Sequence, residues 1–299
     1  MSFMLLGILN SQAAGVSPLY VAVGDNGKLA TSPDGINWTS QTSGFGIIFI
    51  LAAIHANELY VAAGRAGNLT TSPDGITWTS RTSQQSGRNL YALAFGNSVF
   101  VVVGDDSRVS TSTDGINWTS RTSGFGGAIF SLTFGDGLFV AGGSGGRMRT
   151  STDGITWTSR TSGFGTDLIR GLTFGDGLFI AVGAGQTITT STDGITWTSR
   201  TSNFPSGGIA GGAMYNASYG DGLYVAVGDS TTLVTSPDGI TWTQRASGFG
   251  TNVFAVTFAN ELFVIGGSSG KISTSPDGIT WTSRTSTFGS DAITGLTYG

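Results

Sequence analysis

Few side chains in this sequence can do chemistry, and their spacing argues against most of the chemistry they could do. His55 is the only histidine, Glu58 and Glu261 are the only glutamates, and there is no cysteine. A histidine beside a carboxylate is the smallest unit of general-base catalysis. Glycosidic hydrolysis, however, generally needs two carboxyls flanking one bond, and the two glutamates sit at equivalent points of well-separated segments. Asp105 and Asp106 are adjacent acids without the alternating spacing of a calcium loop. Without cysteine there are no disulfides, iron–sulfur clusters or thiolate zinc sites. The glycine-rich turns lack the following lysine of a phosphate-binding loop. The sequence therefore predicts no catalytic residue, no metal ligand set and no cofactor.

Aspartate, by contrast, recurs with a fixed context. The octet Ser72-Pro73-Asp74-Gly75-Ile76-Thr77-Trp78-Thr79 occurs seven times with small changes, and it contains every tryptophan: Trp38, Trp78, Trp118, Trp157, Trp197, Trp242 and Trp281. Successive tryptophans fall 39 or 40 residues apart, with one interval of 45. Such a period marks a repeat architecture, in which each unit must bury its apolar face against its neighbours. Asp34, Asp74, Asp114, Asp153, Asp193, Asp238 and Asp277 each precede a glycine. The pair suits a tight turn, with the carboxylate accepting backbone N–H groups and glycine supplying the left-handed residue. These aspartates and tryptophans are expected to build the repeat rather than bind a ligand.

One repeat shows the strands. Ile169–Phe174 is expected as a first strand, A, and Gly175-Asp176-Gly177 as a hairpin turn. Leu178–Val182 forms strand B, an apolar run suited to burial on both faces, and Thr187–Thr190 forms C. Strand D is expected over Ile195–Arg200. No segment has helical periodicity. Four short antiparallel strands in each of seven repeats predict an all-β chain, a seven-bladed β-propeller of four-stranded blades. The first repeat opens at a B strand, Leu19–Val23, and the chain finishes on an A strand, Ile293–Tyr298. Pairing the two completes seven blades and closes the ring without exposed edges. Residues 1–17 are read as an apolar N-terminal arm and 18–299 as the propeller.

The octet resembles the Asp-box, or BNR repeat, of sialidase-type propellers, with one residue fewer between Asp and Trp than the usual Ser-x-Asp-x-Gly-x-Thr-Trp. The compact form is similar to that of the photosystem II assembly-factor propellers. The resemblance implies a propeller and leaves function open, since Asp-boxes occur in enzymes, lectins and scaffolds. Sialidase-type hydrolysis further implies a tyrosine nucleophile and three central arginines. Here Arg81, Arg121, Arg160, Arg200, Arg245 and Arg284 follow the tryptophans by three residues, on outer strand D, and Arg170 alone lies on an A strand. No central triad is expected. His55 aligns with Phe95, Phe134, Phe174, Tyr219, Phe258 and Tyr298, which makes packing its expected role.

Composition limits the partners. Net charge is −4, and 14 basic residues are scattered one or two per repeat among 299. Nucleic-acid binding needs a concentrated basic surface, so none is expected. The apolar run from Phe3 to Leu9 has no preceding basic residue and is too short to span a membrane. Phe3, Met4, Leu5, Leu6, Ile8 and Leu9 are read as anchors to a partner or neighbouring copy. This opening resembles the short apolar starts of tailed-bacteriophage structural proteins. That likeness implies a virion component, docked on other virion proteins or copies through residues 1–15.

Variation among repeats locates a second kind of site. The D–A loops differ most, and the long 203–208 segment accounts for the 45-residue interval. Near the start of strand A one position reads Leu51, Tyr91, Phe130, Arg170, Tyr215, Phe254 and Thr294. Tyr91, Phe130, Arg170, Tyr215 and Phe254 are the candidate ligand contacts, on the face where D–A and B–C loops meet. The expected function is non-enzymatic: a virion structural or adhesion protein. The alternatives are a secreted multivalent lectin binding glycans on that loop face, and an intracellular assembly scaffold.

Overall fold

Apolar strands with serine and threonine on their flanks arrange themselves here as seven sheets around a central axis. The computed structural model describes residues 17–205, 212–229 and 231–299. Each sheet has four antiparallel strands in the order A-B-C-D from the axis outward. In blade 5 these are Ile169–Gly175, Leu178–Gly183, Ile188–Ser191 and Thr198–Arg200. Blade 1 takes its A strand, Ile293–Tyr298, from the end of the chain and its B strand, Tyr20–Gly24, from the beginning. The register sets Tyr20 opposite Tyr298 and Ala22 opposite Leu296. The ring closes as the two unmatched end strands required.

The hydrophobic core lies between blades. One cluster joins Val101 and Val103 of blade 3 to Phe139, Ala141 and Trp157 of blade 4. Another joins Val264 and Ile272 of blade 7 to Tyr20, Ala22 and Trp38 of blade 1. Strand B is sealed on both faces, with Val101, Val102 and Val103 all at 0% exposure. Each such side chain contributes roughly 1.5–3 kcal/mol relative to exposure.

Strand D is shorter than expected: it begins at Thr198, and Ile195–Trp197 belong to the turn. The cause is the motif aspartate. Asp193 accepts the N–H groups of Ile195 and Thr196 at 2.8 Å and the Ser191 hydroxyl at 2.8 Å, drawing these residues out of the ladder. Trp197 then donates its indole N–H to the Gly194 carbonyl at 3.1 Å. The motif arginines stay on strand D, where Arg200 Nε donates to Thr190 Oγ1 at 2.9 Å and Arg81, Arg121, Arg160, Arg245 and Arg284 repeat the bond.

The disc has two unlike faces. On the turn face, A–B hairpins lie beside C–D turns, as when Asn97 Nδ2 donates to the Gly137 and Thr152 carbonyls at 3.2 and 2.8 Å. On the loop face, D–A loops are tied to B–C turns, as when Ser43 Oγ donates to the Gly27 carbonyl at 2.6 Å. Six of the B–C turns are single 3-10 turns among the described residues.

Candidate binding site at the axial mouth

The site is built by one backbone irregularity made seven times. In blade 2, Ile50 pairs with Gly64 and Ala52 with Ala63, which leaves Leu51 as an extra residue on strand A. The same bulge singles out Tyr91, Phe130, Arg170, Tyr215, Phe254 and Thr294. A bulge re-aims the extra side chain, and here each one is directed towards the axis. Glycine at the end of strand B makes it possible. A Cβ on Gly64 would stand 2.1 Å from the Phe49 carbonyl oxygen, and one on Gly104 2.0 Å from that of Asn89. The bare α-carbon lets the carbonyl before strand A come close and accept the N–H of Arg65 or Asp105 at 3.0 Å.

All seven bulge residues line one axial cavity of about 200 Å³, open to the loop face. All seven are half-buried. The five candidate contacts follow one another on neighbouring blades, so they form an arc, and Thr294 and Leu51 complete the ring. Tyr91 and Phe130 meet edge to face with centroids 5.2 Å apart, and Tyr215 and Phe254 lie 5.3 Å apart. Between these pairs the Arg170 guanidinium lies over the Tyr215 ring, its carbon 5.2 Å from the centroid. Among the described residues Arg170 is the only charged side chain lining the cavity, and its buried Nε has no hydrogen-bond partner there.

Two tyrosines are fixed from behind by carboxylates absent from the sequence-based candidates. Tyr91 donates to Asp105 at 2.9 Å and Tyr215 to Asp229 at 2.5 Å. Asp105 and Asp229 also accept the N–H groups of Asn89 and Ala213. Burial first, and then the hydrogen bond and charge of Asp229, push the Tyr215 hydroxyl up to about 12 against the opposing pull of Arg170. Burial likewise raises Tyr91. The signal was present in the repeats: each ring tyrosine is followed 14 residues later by an aspartate opening the B–C turn.

The other chemistry-bearing residues lie apart from this mouth. His55 pairs with Tyr60 near the turn face, their rings 4.3 Å apart, and burial lowers its pKa. Glu58 and Glu261 sit in A–B hairpins of different blades. Among the described residues no three of His, Asp and Glu converge as a metal site, and no helix is long and apolar enough to cross a membrane. Phe3, Met4, Leu5, Leu6, Ile8 and Leu9 lie outside the described residues, as does part of the 203–208 loop. A separate groove of about 450 Å³ runs between blades 7 and 1, where Ile36, Asn37 and Trp38 face residues 283–287.

No protein-family model matches the sequence, and no curated protein does. Solved structures do resemble it. YCF48 from Cyanidioschyzon merolae aligns at 15% identity and TM-score 0.61, over 83% of this chain and 93% of its own. YCF48 bound to D1 peptide aligns at 15% identity and TM-score 0.62, over 91% and 85%. The WD40 β-propeller domain of Doa1 aligns at 13% identity and TM-score 0.63, over 82% and 84%. At such identities the likeness is one of architecture, and the architecture of this chain is a seven-bladed β-propeller.

Proposed function

We propose that this protein is a non-enzymatic structural or adhesion component that receives a segment of a partner protein at its axial mouth. The observation that carries the reading is the ring of seven bulged residues, which places an aromatic arc and one cation with an unpartnered nitrogen at the end of a closed, rigid disc. A rigid scaffold with variable side chains at its rim favours recognition. The motif carboxylates, in contrast, are engaged in their own turns, as Asp-box-like motifs imply. That a structurally similar propeller, YCF48, was captured with a D1 peptide supports a peptide-sized ligand. The setting we propose is a virus particle, with the apolar residues Phe3–Leu9 as the attachment to other virion proteins or to neighbouring copies.

The test is selection of peptides from a displayed library on the full chain, followed by affinity measurement on variants. Peptides that compete with one another and lose at least about tenfold affinity on Phe130→Ala or Arg170→Ala fit a central anchor pocket. Selected peptides indifferent to both substitutions exclude the mouth. A second reading is glycan binding on the same loop face, favoured by the half-buried rings of Tyr91, Phe130, Tyr215 and Phe254 around the mouth, since aromatic rings suit a sugar face. A glycan array on the wild-type protein separates it from the first, because a receptor for peptides alone leaves every glycan unbound.

A further inference from the structure

The turn face, opposite the mouth, has a composition that the rest of the molecule does not share. Its C–D turns hold the seven motif aspartates, and its A–B hairpins add Glu58, Asp136, Asp176, Asp221 and Glu261. No lysine or arginine occurs in any of these turns, so twelve of the 18 acidic residues share a face without a fixed positive charge. The 14 cations lie elsewhere, six of them on the D strands and bonded to threonine hydroxyls.

This acidic face is also apolar. The isoleucine after each motif glycine is 37–52% exposed in every blade, from Ile36 at 37% to Ile76 at 52%. Together with Ile47, which stands on the loop face, these are all the exposed large hydrophobic side chains of the described chain. The isoleucine recurs in the C–D turn of all seven blades, so each blade offers the same apolar side chain beside its motif carboxylate. The first described strand starts from the same side. Leu19 exchanges hydrogen bonds with Gly299, and the hydroxyl of the next residue, Tyr20, donates to the Ala259 carbonyl beside an A–B hairpin.

We infer that the turn face is a docking surface for a cationic protein segment whose lysines or arginines alternate with apolar side chains. The charge decides the occupant. Nucleic acid and anionic lipid headgroups carry the same sign as the face and are repelled, while a basic segment is steered onto it. The isoleucines then supply the contact that charge alone does not. With the mouth on one face and this surface on the other, the disc joins two partners.

The full chain is titrated with a peptide of alternating lysine and leucine, and with a glutamate–leucine peptide as control. The lysine peptide binds and the glutamate peptide does not. Affinity falls about tenfold in the triple variant Ile116→Ser, Ile155→Ser, Ile195→Ser, and about tenfold in Asp136→Asn, Asp176→Asn, Asp221→Asn. It also falls steeply with salt. Asparagine is safe in the second variant, since Asn57, Asn97 and Asn260 hold the same left-handed position in sister hairpins. Arg170→Ala, on the opposite face, leaves this binding unchanged, so the result stands apart from the fate of the mouth. Equal binding by the isoleucine variant overturns the proposal, since the face is then a field without a contact surface. Loss of binding with Arg170→Ala overturns it too, as does self-association of the chain that the isoleucine variant abolishes.

Discussion

Tyr20 and Tyr298 stand directly opposite each other in the closing sheet, their ring centroids 4.6 Å apart although 278 positions separate them. The contact joins the first residue of strand B of blade 1 to the last residue of its A strand. Around it Leu19 N–H donates to Gly299 at 2.7 Å and Tyr60 donates its hydroxyl to the same carbonyl, while at the other end of the sheet Lys28 pairs with Asp291 at 2.8 Å. Removing residues 291–299 deletes the inner strand of a blade and exposes fully buried Val21 and Val23 on an open edge. Open apolar edges recruit other chains. The truncated protein is expected to elute as aggregate by size exclusion with light scattering. A truncated monomer with an unchanged melting curve would show that closure does not depend on this strand.

Ser98 has a left-handed backbone, φ +61°, in the A–B hairpin of blade 3, where Gly137, Gly177 and Gly222 stand in blades 4, 5 and 6. A residue with a β-carbon is disfavoured in that region by roughly 1–2 kcal/mol. Ser98→Gly is therefore expected to stabilise the protein by about 1 kcal/mol, reduced by the greater chain freedom that glycine has when unfolded. Urea denaturation reads the difference, and a loss of stability would contradict the strain.

Both extremes of pH are expected to weaken the fold. Backbone N–H groups hold the carboxyls of Asp193, Asp238 and Asp277 down to about 2, and those of Asp34 and Asp114 lower still. A carboxyl lowered on folding lends stability above its unfolded value near 4 and loses it as pH falls towards the folded value. The melting temperature should hold down to about pH 4 and drop between 4 and 2. Tyrosine behaves in the opposite sense. Burial raises Tyr20, Tyr224 and Tyr215, the last to about 12, so stability is complete below pH 10 and declines from there towards 12. Melting curves across pH check both limbs, and ultraviolet titration should find a group of tyrosines ionising only on unfolding. A flat profile from pH 4 to 2 would mean that the motif bonds contribute nothing.

The sequence made the blades legible because their determinants are local. The Asp–Gly turn, the apolar B strand and the tryptophan recur inside each repeat, and the unmatched end strands demand each other. The position holding Arg170 and Tyr215 was legible for the same reason, by aligning repeats. Its geometry was not. A bulge is a matter of register between two strands, set here by glycines such as Gly64 and Gly104, whose missing β-carbons admit a carbonyl from the preceding loop. Nor is the charge of the turn face legible one blade at a time, because the acidic turns of different blades share a face only once the blades stand around the axis. Strand D is shorter than its alternation suggests for a related reason: Ile195–Trp197 alternate as a strand should, but the Asp193 carboxylate takes the N–H groups of Ile195 and Thr196.

Tyr215 and Tyr91 occupy the same place in their blades, yet removing their hydroxyls should not have the same effect. Each donates to an aspartate at the start of a B–C turn. Asp229 is only 3% exposed, whereas Asp105 is half-exposed. Tyr215→Phe leaves Asp229, among the described residues of the mouth, with the more distant Ala213 N–H, 3.2 Å away, and water has little access to replace the hydroxyl. A buried acceptor deprived of a partner costs about 1–3 kcal/mol. Water can replace the hydroxyl at Asp105, so Tyr91→Phe is expected to cost less than about 1 kcal/mol. The asymmetry also predicts rescue: Asp229→Ala added to Tyr215→Phe should recover part of the loss, because it removes the group left unsatisfied. Denaturant titration of the four proteins decides the matter, and equal losses at the two tyrosines would mean that the carboxylates do not support the ring.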